Sequence, residues 1–565
     1  MTEERRDRWI DLLVLGAFGL LSVAYLWPLV REFGAAMAGD GFDRYVFQWT
    51  NWWVRYALTR GLPLYQTDFL FYPVGADLHF LSFSWLNTLV WWPLETLIGD
   101  PAAYNFTVWW SWPLAGFGAY LLGREVFDDR RAALVSGLIY TFYPYHFAQR
   151  NHLNLLSIQW IPFSLLFIIR LTRGGGWVHG CAAGLFLALS GLSSWHLLTL
   201  NGMLAGLWLI YAWLREREEW SASTWRGLLA LLITVALITG PFVTPLIMEQ
   251  FVDPSGQESY LGKEGETQTD LVAHFLPNLY QPVWGAAAAP VHRRFLRNKD
   301  HAVSLGYLPL VLLVYGLWRW KREPRIRFWA IGLGIFWLLS LGPYPRINGE
   351  PFPTVPLPYR LVGWSFPVRS LRNPERFNIL VSLCLSMSVG AALAHGLSRL
   401  TKHRAAAAAA LLSALVLFEY WSWPFPTRPT RVPVGYDLIA GDETSGAIVD
   451  IPISNDLSKR YMYFQTVHER PTVTGHVSRP PAGAYAFIEG NDLLRSMREG
   501  RQPDPQGDAV GDLKALADVG VQYLIVHKSE LGSGELDAIR AHIPVVPVHE
   551  DEEVAIYRTS TLADD

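Results

Sequence analysis

The chain has 565 residues, of which 51% are hydrophobic and only 17% are charged, against about 25% charged residues in soluble proteins. This composition and the 26 Trp residues predict a membrane protein. The formal net charge of −3 and the scattering of basic residues over short loops argue against nucleic acid as the main partner. The two cysteines lie far apart inside apolar runs, so neither a disulfide framework nor a cysteine-based metal site is indicated.

Apolar segments of the length that a bilayer requires recur along residues 1–421. They predict about eleven transmembrane helices, at roughly 9–30, 103–122, 131–147, 155–171, 177–194, 197–213, 226–246, 303–318, 328–342, 377–398 and 405–421. Arginine and lysine cluster in every second connection, so the positive-inside rule places these connections and the N-terminus in the cytoplasm. Residues 81–98 are predicted to form an interfacial or re-entrant helix, because a further span there would break this alternation. The loops that then lie outside the cytoplasm are 31–102, 247–302 and 343–376.

An acidic turn follows the first predicted span. Residues 39–45 read Gly-Asp-Gly-Phe-Asp-Arg-Tyr, so Asp40 lies between two glycines that let the backbone turn sharply and approach a bound molecule. Aromatic residues then recur at spacings of three and four as far as Tyr56, which predicts an amphipathic helix lying in the membrane interface. Asp43 begins this helix and has two interpretations, a catalytic carboxylate or a helix N-cap.

The pattern changes after residue 421. Residues 422–445 are rich in Pro, Thr and Arg and are predicted to be a linker. Residues 446–565 are predicted to form a small α/β domain outside the cytoplasm. Its predicted elements are strands at 447–453, 521–527 and 554–558 and helices at 512–517 and 535–542. We recognise no catalytic motif in this domain.

Polar residues gather on the side of the helical region that this topology places outside the cytoplasm. They include Asp77, His79, His152, Asn154 and Gln159, and also Arg369, Arg372 and Arg376 before the tenth span. A proton-coupled transporter is expected to carry ionisable residues near the bilayer midplane, where this sequence has almost none. A site on the outer side favours an enzyme that acts on membrane-attached substrates.

With this layout the chain resembles the GT-C superfamily of membrane glycosyltransferases. It looks closer to the poorly characterised bacterial members than to the well-studied protein mannosyltransferases or aminoarabinose transferases. The resemblance covers most of the chain and is strongest over residues 9–170. There the acidic turn, the segment Phe-Tyr-Pro-Val-Gly-Ala-Asp-Leu at 71–78 and the arginine-rich turn near 124–131 match the usual arrangement. The resemblance implies an α-helical integral protein of the cell membrane with interfacial helices after the first span. It also implies transfer of a sugar from a polyprenyl-phosphate-linked donor to a glycan, lipid or protein acceptor outside the cytoplasm.

Such a transfer needs a base near the acceptor hydroxyl and cations near the departing lipid phosphate. Asp40 is the predicted general base of an inverting reaction, and Asp43 is the second catalytic candidate. The predicted ligands of the donor phosphate are the guanidinium groups of Arg369, Arg372 and Arg376. Substrate contacts are predicted for Asp77, His79, His152, Asn154 and Gln159. Asp77 has a second explanation as a turn residue.

Some members of the superfamily bind a divalent cation through clustered acidic residues. In this chain Asp40 and Asp43 would be the ligands of a Mg²⁺ or Mn²⁺ ion, although the sequence does not require a cofactor. Two other functions stay open: an envelope glycan ligase or polymerase, and a non-catalytic scaffold or binding protein.

Overall fold

The computed structural model of the protein is mainly helical. It describes residues 3–252, 268–295, 302–320, 323–365, 368–369, 371, 373–444, 446–477, 480–481, 483–504, 507–532, 534–543 and 545–559. The chain divides into two compact units. The first comprises Met1–Gly39, Ser84–Ile247 and Leu261–Arg428, and the second comprises Asp40–Phe83, Met248–Tyr260 and Pro429–Asp565.

The α-helices of the first half of the chain are α1 Glu3–Tyr25, α2 Asp43–Arg60, α3 Trp85–Ile98, α4 Ala102–Trp109, α5 Ser111–Phe127, α6 Arg130–Phe142, α7 Pro144–Ala148, α8 Leu153–Leu156, α9 Trp160–Thr172, α10 Gly176–Ser193, α11 Trp195–Glu216 and α12 Ala222–Val252. Those of the second half are α13 Gly285–Phe295, α14 Tyr307–Trp320, α15 Pro324–Ser340, α16 Tyr359–Val362, α17 Asn378–Leu397, α18 Lys402–Tyr420, α19 Gly435–Gly441, α20 Asn455–His468, α21 Ala486–Gly490, α22 Asp492–Glu499, α23 Ala509–Asp518 and α24 Glu535–His542. Helices therefore occupy all eleven positions that the sequence predicts to be apolar spans.

Among the described residues, six helical segments are long and apolar enough to cross a membrane: Arg5–Tyr25, Leu153–Thr172, Gly176–Ser193, Trp195–Arg215, Ala222–Glu249 and Pro374–Leu397. These segments make the chain a membrane protein. A shorter apolar helix lies at Ile326–Ser340. The number of eleven spans stays a prediction, because several of the other helices are too short to meet the same requirement. Helix α3, which is not one of the eleven predicted spans, has 14 residues and occupies the segment predicted to be interfacial or re-entrant.

Helix α17 lies at the centre of the first unit. It is buried along almost its whole length and packs against α6 and α15. Small side chains allow the close approach, and Ser136 Oγ donates to the carbonyl oxygen of Ser386 at 2.7 Å. Small and hydroxyl-bearing residues are typical of contacts between helices in a membrane, where packing and hydrogen bonds hold the helices together.

The second unit contains a four-stranded sheet. The strands of the chain are β1 Ala36–Ala38, β2 Gln66–Thr67, β3 Ala76–Asp77, β4 Arg346–Ile347, β5 Glu350–Pro351, β6 Thr427–Pro429, β7 Ala447–Ile451, β8 Val521–His527, β9 His549–Glu550 and β10 Val554–Arg558. The sheet has the order β7-β8-β10-β9, in which β7 and β8 are parallel and the other pairs are antiparallel. Its core strands match the positions predicted from the sequence, because each is a short run of buried β-branched and aromatic residues.

A buried polar cluster lies beside this sheet. Asp450 of β7 is fully buried, and its Oδ1 lies 3.0 Å from Nε2 of His527 on β8. The hydroxyl of Tyr436 hydrogen-bonds the same carboxylate and lies 3.0 Å from the imidazole. Burial raises the pKa of Tyr436 well above its usual value. The cluster holds α19 against two strands and is closed to solvent, so we assign it a structural role.

Helix α2 is buried within the second unit, so the prediction that its aromatic face lies in the membrane interface is wrong. Trp49, Trp52 and Trp53 are each at most 2% exposed. Helix α2 packs against α20, and Trp49 Nε1 donates to Gln465 Oε1 at 2.7 Å. The aromatic spacing suits a lipid interface and a protein partner equally, and the partner lies too far along the chain to be recognised from the pattern.

The division of the chain also differs from the predicted domains. The sequence groups residues 31–102 with the helices and starts a separate domain at residue 446. In the structure, residues 40–83 belong to the same compact unit as residues 429–565. The side chain of Gln465 shows how the two segments join, because its Nε2 donates to the carbonyl oxygens of Phe69 and Arg470 at 2.7 and 2.8 Å.

Candidate functional site

The acidic turn begins at a glycine that no other residue can replace without strain. Gly39 has φ +95°, and its N–H donates to the carbonyl oxygen of Pro426 at 2.9 Å. A Cβ at this position would lie 2.3 Å from Asn151 Oδ1 and 3.1 Å from the carbonyl oxygen of Arg150. The backbone at Gly39 is therefore held closely by two other segments of the first unit, and Asp40 is the next residue.

The two carboxylates of the turn have different surroundings. Asp43 does not act as the N-cap, because Phe42 occupies that position and Asp43 is the first helical residue. Its carboxylate accepts from Lys459 Nζ at 2.7 Å, within the second unit. The Lys459 side chain is 9% exposed, so this ion pair satisfies an ammonium group that is largely removed from water. Asp40 is partly exposed and lies three residues before Asp43.

Further titratable groups surround the same lysine. Asp456 Oδ1 lies 3.3 Å from Lys459 Nζ. His476 hydrogen-bonds Asn455 through Nδ1 at 2.8 Å, and burial, assisted by the positive charge of Lys459, lowers the pKa of His476 to about 4. The imidazole is therefore neutral at physiological pH. These contacts tie Asp43 to the start of α20.

Buried Arg44 lies beside Asp43. Its guanidinium donates through Nη2 to the hydroxyl of Tyr45 at 2.8 Å and through Nη1 to the carbonyl oxygen of Gly41. The carbonyl contact restricts the glycine on the far side of Asp40. Both neighbours of Asp40 are thus constrained, Gly39 in the first unit and Gly41 in the second.

Three potential metal ligands converge elsewhere in the second unit. His79 Nδ1 lies 2.9 Å from both carboxylate oxygens of Asp77 and 3.6 Å from Glu249 Oε2. One ligand atom from each residue lies within 4.8 Å of the other two. Among the described residues this is the only such group, and we call it the Asp77–His79–Glu249 triad.

The geometry of the triad fits a divalent cation. Tyr65 stacks on the His79 ring at 4.7 Å, and the Asp77 carboxylate accepts from the N–H of His79 at 2.8 Å. The two contacts orient the His79 ring and the Asp77 carboxylate, which carry ligand atoms, before any ion binds. One nitrogen and two carboxylate oxygens suit Mn²⁺ or Zn²⁺ better than Mg²⁺, which takes oxygen ligands almost exclusively. The predicted ligand pair of Asp40 and Asp43 is not part of the triad, and Lys459 beside Asp43 would repel a cation.

The predicted residues of the first unit lie around the start of α9. His152 precedes α8 and is partly exposed, whereas Asn154 is buried and Gln159 is completely buried. Neither amide atom of Gln159 has a hydrogen-bond partner among the described residues. An unsatisfied amide costs free energy in an apolar environment, so Gln159 is a suitable place for a bound polar molecule or water.

The predicted phosphate-binding arginines differ in exposure. Arg369 is exposed, and Arg376 is half-buried and donates through Nη1 to the carbonyl oxygen of Leu371 at 2.6 Å. Arg372 lies outside the described residues. Of the two described guanidinium groups, that of Arg369 is the more accessible to a phosphate.

The loop that carries these arginines is fastened to another part of the first unit. Asp270 is buried, and its carboxylate accepts from the N–H groups of Val272, Asn348 and Gly349 at 2.9, 3.1 and 2.7 Å. Asp270 belongs to the predicted loop 247–302, so its carboxylate joins the described parts of two predicted outer loops by hydrogen bonds. Much of that longer loop, residues 253–267 and 296–301, lies outside the described residues.

Three residues that form part of these sites were not predicted from the sequence. Glu249 lies near the end of an apolar helix, where a single acid is easily attributed to the helix end. Lys459 lies in the C-terminal part of the chain and gives no motif with the acidic turn. Arg150 is buried, donates to the hydroxyl of Tyr280 at 2.7 Å, and holds its carbonyl oxygen against Gly39. The only usable signal was the Asp-x-His spacing of Asp77 and His79, which places both side chains on one side of an extended segment.

Comparison with known families assigns most of the chain. The model of the family described as "Domain of unknown function (DUF6311)" matches residues 30–418. The chain belongs to this family. The match includes the acidic turn and all three members of the triad, so these features lie within the family region. None of the curated proteins compared with the chain matches it.

Two solved structures are similar to the chain at low sequence identity. The first is ArnT from Cupriavidus metallidurans bound to undecaprenyl phosphate, with 14% identity, coverage of 98% of each chain and a TM-score of 0.48. The second is the archaeal oligosaccharyltransferase AglB from Archaeoglobus fulgidus in complex with an inhibitory peptide and a dolichol-phosphate. It is 13% identical and has a TM-score of 0.47, with coverage of 92% of this chain and 70% of that chain.

Proposed function

We propose that the chain is a membrane glycosyltransferase that moves a sugar from a polyprenyl-phosphate-linked donor to an acceptor outside the cytoplasm. The observation that carries the proposal is the acidic turn, which follows the first candidate span and is constrained on both sides of Asp40. A carboxylate held at a membrane exit suits a substrate whose reacting group is attached to a lipid.

Asp40 is the proposed general base. It would take the proton from an acceptor hydroxyl as the oxygen attacks the anomeric carbon, while the bond to the lipid phosphate breaks with inversion at that carbon. Asp43 is the weaker candidate, because its carboxylate already neutralises Lys459 at 2.7 Å. We therefore assign Asp43 a positioning role at the start of α2.

Positive charge must balance the phosphate that leaves. Arg369 is proposed to bind it, with Arg372 and Arg376 as the neighbouring guanidinium groups. A divalent cation would be held by Asp77, His79 and Glu249, and it would supply Lewis-acid chemistry when bound. The triad residues themselves orient the ligand atoms through the Asp77–His79 hydrogen bond and the stacking of Tyr65 on His79. His152, Asn154 and Gln159 remain proposed substrate contacts.

The proposal is tested with purified protein and a panel of polyprenyl-phosphate sugars, by measuring the release of polyprenyl phosphate. Wild-type protein should release lipid phosphate from at least one donor, and Asp40→Asn should lower the rate by about 10²- to 10⁴-fold, the usual contribution of a general base. Asp518→Asn is the matched control, because Asp518 is an exposed carboxylate of the same unit. An Asp40→Asn variant that inserts normally and keeps full activity would rule out the assigned base. Release by no donor in the panel would favour a scaffold or binding protein.

A further inference from the structure

A groove of about 570 Å³ lies in the second unit beside the hairpin of β2 and β3. Its lining comes mainly from residues 53–77 and includes Pro481 from the C-terminal part of the chain. Ligand pockets of proteins usually have volumes of about 300 to 1,000 Å³, so the groove has the size of a binding site. Asp77 lines the groove and also belongs to the triad.

The walls of the groove are preformed. Gly75 has φ +81°, and a Cβ there would lie 2.9 Å from the carbonyl oxygen of Thr67, so the two sides of the hairpin approach closely. Trp53 forms part of the lining, and its Nε1 donates to the carbonyl oxygen of Leu64 at 3.0 Å. Its ring is stacked parallel to that of Trp49 at 5.6 Å. A ligand would therefore meet a surface whose shape already exists, which lowers the entropic cost of binding.

The charged side chains that line the groove are all acidic. It contains two carboxylates, those of Asp68 and Asp77, and the polar side chains of Gln66 and Thr67, but neither lysine nor arginine. A phosphate or another anion would be repelled, whereas hydroxyl and ammonium groups could donate hydrogen bonds to both carboxylates.

The apolar part of the lining favours a sugar ring. Val74 and Pro481 contribute aliphatic surface beside the acceptor groups, and a pyranose presents C–H faces next to its hydroxyls. A peptide that added a strand would need a longer free edge, because β2 and β3 have two residues each. These features favour a glycan over a basic peptide.

We propose that this groove binds a glycan that carries hydroxyl or amino groups and no anionic group. If the proposed glycosyl transfer is correct, the groove holds the acceptor, because its negative charge is unsuited to the lipid phosphate of the donor. The binding itself does not depend on that transfer and is measured separately.

Calorimetric titration of the full-length protein in detergent tests the charge preference. The probes are three trisaccharides: a glucosamine trimer with three amines, cellotriose without charge and a galacturonate trimer with three carboxylates. EDTA keeps metal ions away from Asp77. The glucosamine trimer should bind most tightly and the galacturonate trimer most weakly. Asp68 is exposed, so Asp68→Asn should weaken binding of the glucosamine trimer by up to about five-fold, the effect expected of one exposed charge pair, and leave that of cellotriose unchanged.

A second variant tests the position. Val74→Trp should fill the groove and abolish binding of all three probes, whereas Val510→Trp should not, because Val510 is a comparably exposed valine of the same unit outside the lining. Galacturonate binding as tight as that of glucosamine, unchanged binding in Val74→Trp, or binding only of a lysine-rich peptide would overturn the proposal. Wild-type protein that binds the trisaccharides but transfers sugar from no donor would refute the proposed function and leave the groove assignment standing.

Discussion

Replacing Gly39 by alanine is the most direct perturbation of the acidic turn. The substitution adds one methyl group and leaves Asp40, the arginines and the triad unchanged. Any effect must therefore come from the geometry of the turn. We expect Gly39→Ala to destabilise the first unit and to slow lipid phosphate release by displacing Asp40.

The magnitude follows from two contributions. A non-glycine residue at φ +95° costs about 1–3 kcal/mol. The new Cβ would lie 2.3 Å from Asn151 Oδ1, and driving that side chain from its rotamer costs about 0.5–1.5 kcal/mol. The sum is about 1.5–4.5 kcal/mol. If the backbone moves instead, the gap must open by about 1.1 Å to reach ordinary contact at 3.4 Å, and an error of about 1 Å in catalytic position can cost about 100-fold in rate.

The assay has two readouts, the midpoint of thermal unfolding in detergent and the rate of polyprenyl phosphate release. Gly34→Ala is the matched control, because Gly34 is exposed and a Cβ there would meet no atom within 4 Å. A double variant with Asn151→Ala should recover the part of the loss that comes from the Oδ1 clash. It should not recover the part due to φ or to the carbonyl oxygen of Arg150 at 3.1 Å.

A Gly39→Ala protein that unfolds at the same midpoint as Gly34→Ala and keeps its rate of lipid phosphate release within two-fold of wild type would refute this prediction. A loss of stability without a loss of rate would show that Gly39 supports the fold and does not position Asp40. Complete rescue by Asn151→Ala would show that the backbone conformation itself costs little.

Three other outcomes can be checked in the same preparations. Asp43→Asn should lower the free energy of unfolding by about 1–3 kcal/mol because buried Lys459 loses its nearer partner, and combination with Lys459→Met in a double-mutant cycle should give less than the sum of the single losses. Burial lowers the pKa of His468 to about 4, so on unfolding this imidazole takes up a proton between pH 4 and 6.5. Stability should therefore fall by roughly 3 kcal/mol as the pH drops from about 6.5 to about 4, and unfolding midpoints of His468→Gln should vary less with pH than those of wild type. His79→Ala and Glu249→Gln should each weaken Mn²⁺ binding by at least about ten-fold in electron paramagnetic resonance titrations. Mutation of a residue that only hydrogen-bonds a metal ligand already costs about that much, and these two residues are the proposed ligands themselves. Wild-type protein that binds no Mn²⁺ or Zn²⁺ would refute the triad as a metal site.

The local structure of this chain was accessible from its sequence. Apolar runs of about twenty residues predict helices wherever they occur, and short buried runs such as 521–527 predict strands. The turn at Asp40 was recognisable because two glycines and two acids follow an apolar run. These features depend only on residues close together in the sequence.

The contacts between segments that lie far apart in the sequence could not be predicted from it. The pattern of α2 predicts one apolar face, yet its polar residues Gln48 and Asn51 are buried too, because α20 and the loop after α2 cover the helix. The alternation of charged loops assigns Asp77 and Glu249 to the same side of the membrane, but it gives neither residue a position within that side. Their proximity depends on the path of about 170 residues between them.

Burial of α2 against α20 has a consequence for the synthesis of the chain. Trp49 is 416 residues ahead of Gln465, and ribosomes add about 5–20 residues per second, so roughly 20–80 s pass between the appearance of the two. During that time three tryptophans have no folded partner. Helix α2 has the composition of a helix that lies on a bilayer surface, and we expect the membrane to shelter it until the C-terminal segment arrives. Chains that end before residue 429 would keep this aromatic surface exposed permanently, and quality control should remove them.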